Sequence, residues 1–397
     1  AERNLRMFCQ AVGRDFQAVL ARAEAERPAE NRAPSLDISA IMPVRNGFDV
    51  FDRCLDALHG QTFPPERYEV LVVANGVQGT SERELQSVVE RWKEHFGDRL
   101  ALHTIEAASI PMARNEGIRH ARGRVILQLN SDTALSRTAL AEHYAEHDGF
   151  GFDPRCVVAG GRKFPRSYMD SLLNYLYEAV PLYTALHRPR PRFLADYTWF
   201  VTCNLSCMRE AYHRFGTYDE SFAWGSDQVL GRQWESEHGA QIYVNAGIIG
   251  YHLHPLSFDF WRNKCIISTP FWLRRTHGVS VDELSAEDGR AVSEQMDALG
   301  LDVPQFEREI RRIEQNFSGP ANFEGETVMG RSAPTLEHFV GELGPLLVRY
   351  LSHLHFSELL RLIRRRTAGD QQAAMPPHEG IRSLCDATVG KGGASLQ

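Results

Sequence analysis

Leu5, Phe8, Cys9, Val12, Phe16, Val19 and Leu20 recur at helical spacing, which predicts an amphipathic helix at the start of the chain. A polar stretch carrying Pro28 and Pro34 ends it. The rhythm then changes. Residues 38–44 form a short apolar run containing Pro43, a strand that opens into a loop at Arg45-Asn46-Gly47. Residues 50–59 return to helical spacing, and 68–74 form a β-branched run of the kind found in buried parallel strands, turned by Asn75-Gly76. The alternation continues with a helix over 82–96, a strand over 100–105 and a helix over 110–121 with Pro111 in its first turn. A strand over 125–129 stops at Asn130-Ser131-Asp132. Strands and helices in this order predict a mostly parallel α/β sheet over residues 36–135.

From about 150 to 260 the chain becomes rich in aromatics, among them Tyr175, Tyr197, Trp199, Phe222 and Trp224. After about 280 it turns helical and charged, with one apolar stripe at Phe306, Ile310, Ile313 and Phe317 and another at Leu343, Leu347, Leu351, Leu354 and Leu362. Three regions are expected: an N-terminal helical segment over 1–34, a catalytic domain over 35–275 and a helical C-terminal region over 276–397. The 397 residues suit a domain of roughly 250 plus such appendages. A net charge of -7 gives no electrostatic reason to expect nucleic acid. Seven cysteines lie scattered without a C-x-x-C pair, so buried thiols in a reducing compartment are expected. The N-terminal residues are charged throughout and no apolar run reaches the ~18 residues of a membrane span, so a cytoplasmic location with no transmembrane segment is expected.

Ligands of open α/β sheets sit at the carboxyl ends of the strands. Arg45-Asn46, Asn75-Gly76 and Asn130-Ser131-Asp132 are polar strand ends of that kind. Asp132 can hold a hard divalent cation that bridges phosphate oxygens, although the triplet is also ordinary turn chemistry. Residues 218–228 place Asp219, Glu220 and Asp227 beside Trp224 and Gly225. One of these carboxylates is a candidate general base, and a solvated acidic loop is the plainer alternative. His252 and His254 alternate along a strand, so both are candidates to face one metal, or simply to be satisfied histidines.

Taken in order, these segments resemble the family 2 glycosyltransferases. Ile41-Met42-Pro43-Val44-Arg45-Asn46 is similar to their first strand and loop. Gln61-Thr62 with Pro64 resembles the element after the first helix, and Ala113-Arg114-Asn115-Glu116-Gly117 with Ala121-Arg122-Gly123 resembles the stretch before the acidic motif. Asn130-Ser131-Asp132 falls where the family has D-x-D. Cys203-Asn204-Leu205-Ser206, Arg209-Glu210, Gly216-Thr217-Tyr218-Asp219-Glu220 and Ser226-Asp227 follow in family order, with His252 at the later histidine. Three positions depart from the pattern: Ala74-Asn75-Gly76-Val77 replaces Asp-Asp-Gly-Ser, Asn130 replaces the first Asp of D-x-D, and Ser226 replaces a Glu.

The resemblance implies a GT-A fold, a Rossmann-like nucleotide-diphospho-sugar transferase sheet with helices on both faces. It implies a metal-dependent inverting glycosyltransferase. Pro43, Val44, Arg45, Asn75, Arg114, Asn130, Ser131 and Asp132 would bind the nucleotide-sugar. Trp224, Gly225 and Ser226 would meet the sugar or acceptor, and Asp227 would be the base. Asp132 with His252 or His254 would hold Mn2+ or Mg2+. The donor it points to is a UDP-sugar, with other nucleotide-sugars as alternatives, and the acceptor is not legible. The alternative is a catalytically weak or inactive GT-A-like binding or scaffold protein. A nucleotidyltransferase would show a glycine-rich phosphate loop, and none precedes Val50. The basic run Arg361, Arg364, Arg365 and Arg366 suggests a homodimer through the C-terminal helices, or contact with anionic lipid.

Overall fold

The structure is a computed structural model and describes residues 36–179, 192–222, 224–271, 273, 281–319, 327–332 and 335–367. The helix expected before residue 35 lies outside them. The chain divides into two compact units, residues 1–163 with 188–253, and residues 164–187 with 254–397.

The first unit is built on one mixed sheet. β1 (Leu36–Val44), α1 (Phe48–His59), β2 (Tyr68–Asn75), α2 (Thr80–Phe96), β3 (Leu100–Ile105), α3 (Ile110–His120) and β4 (Gly123–Leu129) form its parallel half in the order β3-β2-β1-β4. Every residue of β2 is buried, as a strand covered on both faces requires. β5 (Thr133–Leu135), α4 (Ala139–Gly149), β6 (Cys156–Lys163), β7 (Arg192–Ala195), β8 (Asn204–Met208), α6 (Arg209–Phe215), α7 (Ser226–His238) and β9 (Gln241–His252) complete the unit. The sheet continues β4-β8-β6-β9-β5, with β7 also on β9. β6 and β9 pair in parallel, whereas β8, β5 and β7 pair antiparallel. The parallel βαβ reading thus describes the first half, and antiparallel ladders enter where the aromatic-rich stretch begins.

Helix α3 lies close against β1. A Cβ added at Gly117 would stand 2.4 Å from Ile41 Cγ2, so only glycine permits this approach. Ser109 caps the helix from Met112 N–H at 3.4 Å, and Pro111 occupies its first turn. Next to it the buried Glu69 carboxylate accepts from Ser39 Oγ at 2.6 Å, Arg122 N at 2.7 Å and Arg122 Nε at 2.7 Å. A buried carboxylate is stable only when so satisfied. Gln61 braces the end of α1. Its Nε2 donates to Ala57 O and Ser136 O at 2.9 and 2.8 Å, and its Oε1 accepts from Leu140 N at 3.1 Å.

The second unit contains α5 (Leu172–Ala179), α8 (Phe258–Ile267), α9 (Ala286–Ala298), α10 (Val303–Asn316), a short β10 (Thr327–Val328) and β11 (Arg331–Ser332) pair, and α11 (Leu336–Thr367). Phe258, Phe306, Ile310, Ile313, Leu343, Leu347 and Tyr350 lie in its core. Both predicted stripes therefore face inward, although Leu351 is only half-buried. Glu307 holds this core to polar partners, accepting from Tyr350 Oη, Arg262 Nε and Arg311 Nη1. In the basic run, Arg361 pairs with Glu358 of its own helix and Arg366 donates to Leu284 O at 2.7 Å. Among the described residues no helix is long and apolar enough to cross a membrane. Cys54, Cys156, Cys203, Cys207 and Cys265 are buried, free thiols.

Candidate active site

The carboxyl end of β4 is where the site forms. Asn130-Ser131-Asp132 makes a turn, with Thr133 N donating to Asn130 O at 3.2 Å, so turn chemistry coexists with a half-buried carboxylate. Immediately after it β5 pairs antiparallel with the end of β9, setting Thr133 opposite His252. Leu253 N donates to Asp132 O at 2.7 Å. This pairing, between segments 120 positions apart in the chain, brings His252 Nε2 to 3.6 Å from Asp132 Oδ2. β9 stops at His252, so the alternation that would set His254 on the same side does not reach it. His254 begins the second unit and its ring meets Phe260 edge-on at 4.9 Å.

Arg114 is 2% exposed, and its hydrogen bonds go to amide and carbonyl oxygens. Nη1 donates to Gln128 Oε1 at 2.8 Å and Leu129 O at 3.3 Å, and Nη2 to Asn130 Oδ1 at 2.8 Å and Thr202 O at 3.3 Å. The guanidinium therefore orients Asn130 and ties the end of β4 to the segment entering β8. Asn115 next to it clasps the following loop: its Nδ2 donates to Tyr218 O at 2.9 Å and Glu220 Oε1 at 2.8 Å, and its Oδ1 accepts from Tyr218 N at 3.0 Å. Glu220 is thereby engaged at the base of that loop.

Asp227 sits in the first turn of α7, after Gly225 in the left-handed region (φ 74°). Its Oδ1 accepts from Gln228 N at 2.9 Å, and its Oδ2 from Thr202 Oγ1 at 3.2 Å and Thr202 N at 3.3 Å. These donors fix the orientation of the carboxylate. Ser226 is buried beneath it, while Trp224 and Gly225 are half-buried.

Thr202 thus contacts both Arg114 and Asp227. Burial pushes the Cys203 thiol up, and the charges acting on it are those of Arg162, Asp132, Asp227 and Arg114. Thr202 and Arg162 carry no motif signal, because only the β4–β8 pairing, with Leu129 opposite Asn204, brings this segment beside the acidic turn.

At the neighbouring strand ends, β1 and β2 place Val44 opposite Ala74. Pro43 and Arg45 are half-buried and Val44 fully buried. Asn75 is buried, with its Oδ1 accepting from Ser109 N at 2.6 Å.

Two buried histidines on one face of α4 underpin the strand ends. Asn204 Nδ2 donates to Gly161 O and Ile248 O at 3.1 and 2.9 Å, joining β8 to β6 and β9. Asn204 Oδ1 can only accept, so His143 Nε2, at 2.9 Å, must be the donor. His143 Nδ1 then accepts from Ser206 Oγ at 2.8 Å, and Ser206 Oγ accepts from His147 Nε2 at 2.9 Å. The network requires a neutral His143, whose Nδ1 accepts while its Nε2 donates, and burial disfavours the charged form of His147. Burial depresses His143 to about 4 and His147 to about 3. In the unfolded chain both protonate near pH 6.5, so stability is whole above that value and is lost as pH falls toward the folded values. Two protons give a limiting slope of about 2.7 kcal/mol per pH unit. Urea unfolding between pH 7 and 5 should show that decline, and His147→Leu should remove about half of the slope. An unchanged slope in the variant would mean that His147 is not held neutral.

A parallel 3-2-1-4 half-sheet with an acidic turn at the end of its fourth strand is the frame of the GT-A class of nucleotide-diphospho-sugar transferases. Residues 39–209 match the family described as Glycosyl transferase family 2. Glycosyltransferase AglE of Haloferax volcanii is 31% identical over 128 residues, spanning 32% of this chain and 40% of that protein. Validoxylamine A glucosyltransferase of Streptomyces hygroscopicus subsp. limoneus is 25% identical over 289 residues, spanning 64% of this chain and 56% of that protein. The chain thus aligns with about half or less of the length of these relatives. Mannosyltransferase PcManGT from Pyrobaculum calidifontis, solved with GDP-Man and Mn2+, superposes with a TM-score of 0.45 at 18% identity, covering 95% of this chain and 89% of that one.

Proposed function

We propose that the chain transfers a sugar from a nucleoside-diphosphate sugar to an acceptor hydroxyl, with divalent-metal dependence and inversion at the anomeric carbon. The observation that carries this reading is the run of contacts joining the two acids at the carboxyl edge of the sheet: Asp132, with His252 3.6 Å away, lies in the turn whose Asn130 is held by Arg114, and Arg114 and Asp227 both bond to Thr202. One carboxylate oxygen and one imidazole nitrogen 3.6 Å apart are a donor set suited to Mn2+, which tolerates both ligand types, and to Mg2+ through the carboxylate. A metal bound there supplies Lewis-acid neutralisation of the departing diphosphate.

The protein's own groups do the rest. Asp227, fixed by Thr202 and Gln228, accepts the acceptor's hydroxyl proton as the oxygen attacks. With one base and no protein nucleophile in the scheme, a single displacement inverts the anomeric centre. Trp224 and Gly225, at the mouth of α7, border the sugar or acceptor. Asn75 has its carbonyl oxygen engaged by Ser109, so it offers the nucleobase its Nδ2 donor. A base carbonyl such as that of uracil complements this group, which supports a UDP-sugar as donor.

One observation favours a second reading, a catalytically weak or binding protein. Asn130 Oδ1 is engaged by Arg114, so Asp132 is left as the anionic member of the turn. Incubation with UDP- and GDP-sugars, with and without Mn2+, separates the two. Transfer predicts release of nucleoside diphosphate from at least one donor, stopped by chelation. No release, with donor and Mn2+ still raising the melting temperature, would favour the binding reading.

A further inference from the structure

Away from the acidic turn, α3 and the edge strand β3 bring three ligand-type side chains together. His103 from β3 meets Glu116 and His120, which are one helical turn apart on α3 and so share a face. One ligand atom from each lies within 4.8 Å of the others. The two imidazoles stack with centroids 3.9 Å apart and planes inclined by 17°. Glu116 Oε1 stands 3.0 Å from His120 Nε2, while its other oxygen is held by Arg119.

We propose that His103, Glu116 and His120 form a second metal site, for a zinc-type divalent ion, which clamps the end of α3 to β3. Two imidazoles and a carboxylate are the ligand set that zinc takes with a water in the fourth position. Metal–ligand distances of about 2.0–2.2 Å require these atoms to draw closer, which side-chain rotation allows at a half-exposed surface. Arg119 acts as the outer partner, fixing the carboxylate through Oε2 while Oε1 faces the metal.

The site shares no residue with Asp132, His252 or Asp227, so its test is independent of the proposed transfer. Zn2+ titration of the metal-free full chain by calorimetry should show one equivalent that survives in Asp132→Ala. In His120→Ala that equivalent should weaken by at least ~100-fold, since loss of a mere outer partner already costs 10–100-fold. Glu116→Gln should also weaken it while leaving both rings in place. His120 ends α3 with its side chain 47% exposed, so the substitution should leave the fold intact by circular dichroism. Co2+ used as a probe should give the visible bands of a tetrahedral site in the wild type and not in His120→Ala. Zinc bound equally well by the wild type and His120→Ala, or not bound at micromolar concentrations by either, would reduce the cluster to an ordinary surface ion pair and overturn the proposal.

Discussion

Asp227→Asn is expected to lower turnover by roughly 10²–10⁴-fold while leaving donor affinity close to that of the wild type. The substitution keeps the size of the side chain. Its Oδ1 can still accept from Gln228 N or Thr202, so the first turn of α7 should hold. What disappears is the ability to take a proton. The donor side of the site, at Asp132 and the ends of β1 and β2, is built from other residues, so KM for the nucleotide-sugar should move little. Initial rates with saturating donor, together with donor affinity by calorimetry, provide the check. Near-native turnover would assign the proton to another group, and a large loss of donor affinity would mean that Asp227 binds rather than reacts.

Asp132→Ala should remove Mn2+-dependent donor binding. The carboxylate is the anionic member of the Asn130-Ser131-Asp132 turn, because Asn130 carries no charge and its Oδ1 is engaged by Arg114. An imidazole alone holds Mn2+ weakly, since this ion prefers oxygen ligands. The backbone link from Leu253 N to Asp132 O does not depend on the side chain, so the turn and the β5–β9 pairing should survive the change. Calorimetric titration of donor with Mn2+ should therefore lose its heat, while urea unfolding stays near the wild-type midpoint. Unchanged affinity would place the metal elsewhere and would detach Asp132 from the diphosphate.

The regular first half of the domain was legible because each segment announces itself locally. Residues 70–74 are apolar at every position, and the structure buries all of β2. Pro111 and the cap at Ser109 mark where α3 starts. The run Ala113-Arg114-Asn115-Glu116-Gly117 was recognisable as a pattern, but its division of labour was not. Gly117 admits Ile41, Arg114 holds Asn130 and Thr202, and Asn115 holds Tyr218 and Glu220. Three of these partners, Thr202, Tyr218 and Glu220, are 88, 103 and 105 positions away, and no periodicity reports such distances. The histidines of α4 were missed for a similar reason. Buried imidazoles at spacing i, i+4 look like surface polarity until Asn204 and Ser206 are placed against them.

From its residues alone this chain declared alternating strands and helices, an ordered set of family 2 motifs and the inward stripes of its later helices, since these depend on neighbours within a few turns. Tertiary structure alone decided which residues meet at the candidate site. Antiparallel pairing of β5 on β9 and of β8 on β4 carries His252 to Asp132 and Thr202 to the space between Arg114 and Asp227. Strand register acts across distant segments, and a shift of one residue turns each side chain to the opposite face.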